Sequence, residues 1–209
     1  LEEGCSVVIN GSSNKNLNKA LKILPKNNVF SICKDVTTQK GADSTLKFAV
    51  NKLSKIDILI CNLGSGTTKD KSPNNFNEWK RMFDINFWST VIIIEKSLKL
   101  LSKTKGKIIC ISSICANKNI KNSPISYSVA KAALNKYATF RSSELAKLGI
   151  RLNIISPGNI LFAGSAWEKK IKSDFTKTKK IINTEVPMQR FGNINEILSD
   201  INNNIIILL

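Results

Sequence analysis

The sequence contains no histidine and no Cys-x-x-Cys pair, so a zinc site is not expected. Its five cysteines are Cys5, Cys33, Cys61, Cys110 and Cys115. Their odd number argues against a full disulfide framework. Cys33, Cys61 and Cys110 sit in or beside apolar runs, where a thiol behaves as a small hydrophobe. These features predict a reducing, cytoplasmic setting. No apolar run approaches the roughly 20 residues of a membrane span, and the last one, 205–209, is short; no membrane association is expected. No signal peptide precedes the first periodic segment. Arginine is scarce: only Arg81, Arg141, Arg151 and Arg190, so lysine carries most of the net charge of +17. The lysines are spread along the chain, densest at Lys118 and Lys121 and from Lys169 to Lys180. A dispersed charge reads as a solvated surface, not as a nucleic-acid face, although weak attraction to phosphate-bearing ligands fits it. No repeat, linker or second domain interrupts the 209 residues, which predicts a single domain over 1–209.

What is present is an alternation of two periods. Val7-Val8-Ile9, Val29 to Cys33, Ile56 to Cys61, Lys107 to Ser112 and Arg151 to Ile155 read as strands. Between them, Asn16 to Leu24, Thr45 to Leu53, Asn74 to Leu101 and Ser126 to Leu148 carry apolar residues at helical spacing. A further helix is expected over Trp167 to Asn183 and another after Gly192. Strands alternating with long helices predict an α/β fold: a doubly wound, mostly parallel, Rossmann-like sheet. Right-handed crossovers would place Asn10, Asp35, Asn62, Ser113 and Pro157 along one sheet edge, where ligands bind in this architecture.

The chemistry concentrates near the middle. Tyr127 and Lys131 are four apart at the start of a helix and project from one face. A phenol is too weak an acid for easy base work at neutral pH, and a nearby ammonium lowers its pKa. A hydroxyl from the adjacent strand end, Ser113, can hold a carbonyl oxygen. Together they form a plausible acid/base site. Alone, a Tyr-x-x-x-Lys pair is equally an exposed helix pair; the Ile-Ser-Ser strand end and the small-residue run Ser128 to Leu134 make it specific.

With these motifs in order, the chain resembles the short-chain dehydrogenase/reductase family, of the 3-oxoacyl-carrier-protein-reductase-like type. Asp35-Val36-Thr37 is similar to the family's aspartate–valine turn beside the adenine. Asn62-Leu63-Gly64 is similar to its Asn-Ala-Gly segment under the cofactor. Asn86, Ser113, Tyr127 and Lys131 match its catalytic tetrad. Pro157-Gly158-Asn159-Ile160 matches the segment shaping the nicotinamide pocket, and Pro187 to Gly192 resembles the Pro-x-x-Arg-x-Gly segment after the substrate loop. The resemblance implies an oxidoreductase moving a hydride between NAD(P)(H) and a ketone or secondary alcohol. Tyr127 is the implied proton donor, Ser113 the oxygen holder, and Asn86 positions a water that relays protons to Lys131. Lys131 also binds the nicotinamide ribose. The implied cofactor-binding set is Ser12, Asp35, Val36, Asn62, Gly64, Tyr127, Lys131, Pro157, Gly158 and Ile160. The implied assembly is a homodimer or homotetramer through the helices Trp79 to Leu101 and Ser126 to Leu148.

The ends depart from the family pattern. Asn10-Gly11-Ser12-Ser13 imitates a Gly-rich loop, but Lys15 and Leu17 stand where glycines are needed. Gly11 to Asp35 is also too short for two helices and two strands. In the register that follows, Val7 to Ile9 is the family's second strand and Ser12 faces the adenosine ribose. The expectation is then a fragment, truncated at both ends: it lacks the first strand with its Gly-rich loop, and the last strand beyond Leu198. No acidic residue among Asn10 to Asn14 awaits ribose hydroxyls, so NADP is favoured, with NAD possible. Phe162 and Trp167 either line an apolar substrate site or pack the lid; Cys115 is read as packing. A noncatalytic nucleotide-binding relative is the competing function.

Overall fold

The structure, a computed structural model, describes all residues except Glu2, Lys69, Lys71, Asn122 and 207–209, with backbone only at 200 and 202–206. The described residues form five strands, all paired in parallel. Strand β1 (Val7–Gly11) pairs with β2 (Val29–Cys33). Strands β3 (Ile58–Cys61), β4 (Lys107–Ile111) and β5 (Arg151–Ile155) pair in the order β3-β4-β5. Between them run helices α1 (Asn14–Ile23), α2 (Gln39–Leu53), α3 (Phe76–Phe83), α4 (Ser89–Thr104) and α5 (Ile125–Ala146). After β5 come α6 (Ala166–Ser173), α7 (Phe175–Glu185) and α8 (Ile194–Ile206).

The central strand β4 explains its own sequence. Ile108, Ile109 and Cys110 are buried, as an unbroken apolar run requires when both faces of a parallel sheet are covered. The core around it draws Ala42, Leu46 and Ala49 from α2, Ile93, Ile94 and Leu101 from α4, and Leu134, Ala138 and Leu145 from α5. Val8 of β1 packs against the same cluster. Helix α2 therefore bridges the two sheets, and Lys96 of α4 holds Asp43 of α2 at 2.9 Å.

The expectation of a sheet truncated at both ends is corrected here. It rested on the short interval from Gly11 to Asp35, on Lys15 and Leu17 where glycines are needed, and on the departure beyond Leu198. In the structure Val7 to Cys33 form one strand–helix–strand unit, β1, α1 and β2, paired in register from Val7↔Val29 to Gly11↔Cys33. A crossover of this kind needs only a dozen or so residues. The Rossmann-like, parallel part of the expectation stands, with five strands.

Three element boundaries also differ. Helix α2 starts at Gln39, six residues before the apolar periodicity, because Thr38 caps it by accepting from Gly41 N. The expected single helix from Asn74 to Leu101 is broken by a π-helical turn at Asp84–Trp88. The helix after Trp167 is split at Asp174, which ends α6 in an extended conformation and caps α7 by accepting from Lys177 N at 2.9 Å.

Candidate active site

Ser113 follows β4 in an extended conformation and caps a short 3-10 turn, Ile114–Ala116. Its Oγ accepts from Cys115 N at 3.2 Å. Ile114 N donates to Pro157 O at 3.1 Å, which ties the exit of β4 to that of β5. Pro124, in an extended conformation, starts α5 and so places Tyr127 and Lys131 on its first two turns. Pro157 and Gly158 thus join Ser113 at one edge, with Ile114 Cδ1 3.9 Å from where a Gly158 Cβ would lie.

Lys131 is only 3% exposed, and its Nζ donates to Ile111 O at 2.7 Å. Burial holds the ammonium down to about 8, opposed by the thiols of Cys110 and Cys61. These two cysteines are register partners on β4 and β3. Tyr127 is half-buried. Burial raises its pKa, and the hydrogen bond to Ser113 works the other way. The chain by itself therefore does not deliver the lowered phenol pKa expected from Lys131. The lysine spends a hydrogen bond on a carbonyl and is itself desolvated.

Asn86 sits in the π-helical turn and is fully buried. Its Nδ2 donates to Met82 O at 3.0 Å and to Ser65 O at 3.1 Å, while Oδ1 accepts from Ser65 N at 2.9 Å. The widened turn aims this amide sideways at the loop after β3. Gly64, in that loop, lies where a Cβ would come within 3.1 Å of both Asn86 Oδ1 and Lys131 Nζ. Asn86, Lys131 and Gly64 therefore converge. The next glycine, Gly66, faces the Tyr127 ring, with Cε1 and Cζ 3.7 Å from its would-be Cβ.

The other expected cofactor contacts follow strand ends. Asn62 and Gly64 follow β3 and are exposed. Ile160 forms a bridge with Gly192, and Leu161 N donates to Gly192 O at 2.9 Å, so the Pro187–Gly192 segment braces this wall. Ser12, Asp35 and Val36 belong to the end of the two-stranded sheet. Asp35 Oδ1 accepts from Thr37 N and Thr37 Oγ1 at 2.9 and 2.7 Å, which shapes the turn holding Val36. Asn10 Nδ2 donates to Lys34 O at 3.0 Å and fixes the same end. Ser13 begins α1 without a side-chain cap bond, and no acid lies in the first turn.

Trp167 packs on Phe191 with ring centroids 5.4 Å apart, and Lys170 Nζ lies 4.1 Å from the Trp167 centroid. Trp167 thus packs within the segment after β5, while Phe162 is 46% exposed. Cys115 accepts from Ser123 Oγ at 3.5 Å beside the site. Pattern reading missed the loop after Gly64 and its anchors Glu78 and Arg81. Glu78 looks like an N-terminal helix residue three after Asn75, and Asn75 Oδ1 does accept from Glu78 N at 3.0 Å. That local signal masked a tertiary role for its carboxylate.

The comparisons with known proteins agree with this geometry. The family model described as enoyl-(acyl carrier protein) reductase matches residues 1–201. An uncharacterized oxidoreductase of Staphylococcus aureus (strain MW2) is 31% identical over 160 residues, 76% of this chain and 69% of the relative. A solved short-chain dehydrogenase/reductase of unknown function from Caenorhabditis elegans, with cofactor, superposes with a TM-score of 0.86 at 25% identity. That match covers 100% of this chain and 83% of the other. A 7α-hydroxysteroid dehydrogenase solved with NADH and a 7-oxo bile acid gives 0.82 at 25% identity, over 97% of this chain and 78% of the other. The family match from residue 1 to 201 and the backbone match over the whole chain agree with the five parallel strands described above, and correct the expectation of a sheet truncated at both ends. Sequence model and backbone shape thus converge on one assignment: the chain belongs to the short-chain dehydrogenase/reductase family and is an NAD(P)-dependent oxidoreductase.

Proposed function

We propose that the chain interconverts a ketone and a secondary alcohol at the edge of β4, with Asn86, Ser113, Tyr127 and Lys131 as the catalytic residues. The observation that carries this reading is the convergence of Asn86 and Lys131 at Gly64, with the Tyr127 ring beside Gly66 and Ser113 at the exit of β4, where β4, β5 and α5 meet. A serine and a tyrosine hydroxyl brought to one edge of the sheet can grip one substrate oxygen. In the reducing direction Tyr127 Oη gives its proton to that oxygen, and Ser113 Oγ donates a second hydrogen bond to it. Asn86 Oδ1 keeps an acceptor position beside Gly64, and with Lys131 Nζ it holds the water through which Tyr127 is reprotonated. A bound nicotinamide dinucleotide supplies or accepts the hydride. Asn62, Gly64, Lys131, Pro157, Gly158 and Ile160 would hold its nicotinamide half, and Ser12, Asp35 and Val36 its adenosine half.

The fit to such a group is good at both ends. Gly64 leaves an open place where a Cβ would press on Asn86 Oδ1 and Lys131 Nζ at 3.1 Å. The start of α1 has an uncommitted Ser13 hydroxyl and Lys15, with no acid to repel a phosphate. This favours NADP over NAD. The substrate is a small carbonyl or alcohol compound, for which a 3-oxoacyl thioester is the starting probe. The family's helix-pair dimer has a candidate face here: Trp88, Val129 and Phe140 are exposed along the π turn and α5, which supports a homodimer or homotetramer. The same reading places the protein in the reducing cytoplasm. Among the described residues no helix is long and apolar enough to cross a membrane.

The test is reduction of acetoacetyl thioester with NADPH and with NADH, in wild type and Tyr127→Phe. The expected result is a turnover loss of about 10²-fold or more in Tyr127→Phe, with NADPH bound more tightly than NADH. A variant of full activity would refute the proton-transfer role, and tighter NADH would refute the cofactor preference.

A further inference from the structure

The loop that covers Tyr127 is fastened at both ends. At its start, Ser65 is gripped by the Asn86 amide through two hydrogen bonds of 2.9 and 3.1 Å. At its far end, Arg81 Nη2 donates to Thr67 O at 2.9 Å, and Thr68 Oγ1 lies 2.6 Å from Glu78 Oε1. Between the fastenings the chain runs beside the Tyr127 ring: a Cβ at Gly66 would lie 3.7 Å from its Cε1 and Cζ. Glu78 is 6% exposed, so its carboxylate needs a full set of partners. Arg81 supplies them through a forked pair, Nε to Oε2 at 2.9 Å and Nη2 to Oε1 at 2.7 Å. The loop is thus closed by an ion pair on α3 between a buried Glu78 and a partly exposed Arg81, outside the catalytic set.

We propose that Glu78 and Arg81 are positioning residues: their ion pair clamps the Ser65–Thr68 loop onto the Tyr127 ring and so fixes the phenol and shields it from water. The proposal rests on Tyr127 as the proton-transfer residue but is tested apart from activity. Loss of Arg81 removes the forked pair that orients the Glu78 carboxylate and the donor that holds Thr67 O, so the far end of the loop loosens. The phenol then gains solvent.

The chain has two tyrosines, which provides an internal standard. Tyr137 donates to Glu95 at 2.6 Å and packs edge-on against Phe87, away from the clamp. Wild type, Arg81→Met and Thr68→Val would be treated with N-acetylimidazole below their melting temperatures. Acetylation of each tyrosine would be followed by peptide mass spectrometry. The ratio of Tyr127 to Tyr137 modification should rise about 3-fold or more in Arg81→Met, and less in Thr68→Val, as expected for a local opening. The phenolate titration of Tyr127 should shift downward at the same time, since solvent removes the burial that raises it. General destabilisation would raise both acetylation rates together. If Arg81→Met does not fold, Thr68→Val decides alone, because it removes the hydroxyl link without stranding a charge. An unchanged ratio and titration in a folded variant would overturn the clamp. Full activity of Tyr127→Phe would instead remove its catalytic purpose while leaving the ratio result intact.

Discussion

Single residues set the chemistry of this site, and the four proposed catalytic ones were legible because each carries its own spacing. Tyr127 and Lys131 share a helix face by arithmetic, and Ser113 stands at the end of an apolar run. The environment of Lys131 was not legible. Cys61 and Cys110 lie 49 positions apart in sequence, and only strand pairing sets them side by side near its ammonium. Gly64 offers a residue-scale prediction. A side chain there meets Asn86 Oδ1 and Lys131 Nζ at about 3.1 Å, and the loop is exposed, so the collision falls on the site and not on the core. Gly64→Val should reduce turnover by about 10-fold or more while shifting stability by less than ~1 kcal/mol. Steady-state kinetics beside a melting curve checks this; a large loss of stability with normal turnover would contradict it.

At the scale of elements, the sequence placed five strands within about two residues, because parallel strands covered on both faces must be apolar throughout. Helix starts were harder. The first turn of α2 has no apolar periodicity, and its start is decided by the Thr38 cap and by close packing on the preceding turn. The π-helical turn around Asn86 carries no pattern at all, since its apolar spacing is compatible with an ordinary helix. Gly41 shows how tight such a start can be: a Cβ would lie 1.8 Å from Asp35 O, a backbone atom that cannot swing aside. Gly41→Ala should therefore cost about 2–4 kcal/mol, and it should weaken cofactor binding because the displaced turn carries Asp35 and Val36. Urea unfolding gives the first quantity and a dinucleotide titration the second. A stability loss below ~1 kcal/mol would show that the turn relaxes freely.

For the whole molecule, the buried lysine links stability to pH. Folding holds Lys131 at about 8 against an ordinary value of 10.5. Below pH 8 both states carry the proton, and the folded state bears the full cost of burying it. As pH rises through 8 the folded chain releases the proton while the unfolded chain keeps it, so stability rises. Above the ordinary thiol value of 9.0 the effect is opposed by Cys61. Its pKa is raised by the hydrogen bond to Cys110, with burial adding to it, so folding then retains a proton that the unfolded chain loses. The clear window is pH 8 to 9. There the stability of wild type relative to Lys131→Gln should rise by about 1 kcal/mol, with no comparable change between pH 6 and 7. Urea midpoints at the four pH values decide it, and a flat difference across the window would mean that Lys131 stays charged in the fold.

The sequence by itself determined the alternation of strands and helices, the family resemblance, and the identities of Ser113, Tyr127, Lys131 and Asn86. All of these are written in spacings of two, of three to four, or in short local motifs. The tertiary structure decided what those residues touch. It made Val7 to Cys33 one strand–helix–strand unit, put the Asn86 amide on Ser65, and gave Glu78, at the start of α3, a second role as the buried half of an ion pair with Arg81. It also set the direction of the Tyr127 pKa, where burial outweighs the hydrogen bond to Ser113. Desolvation and cross-chain hydrogen bonds depend on which surfaces meet, and no local spacing records that.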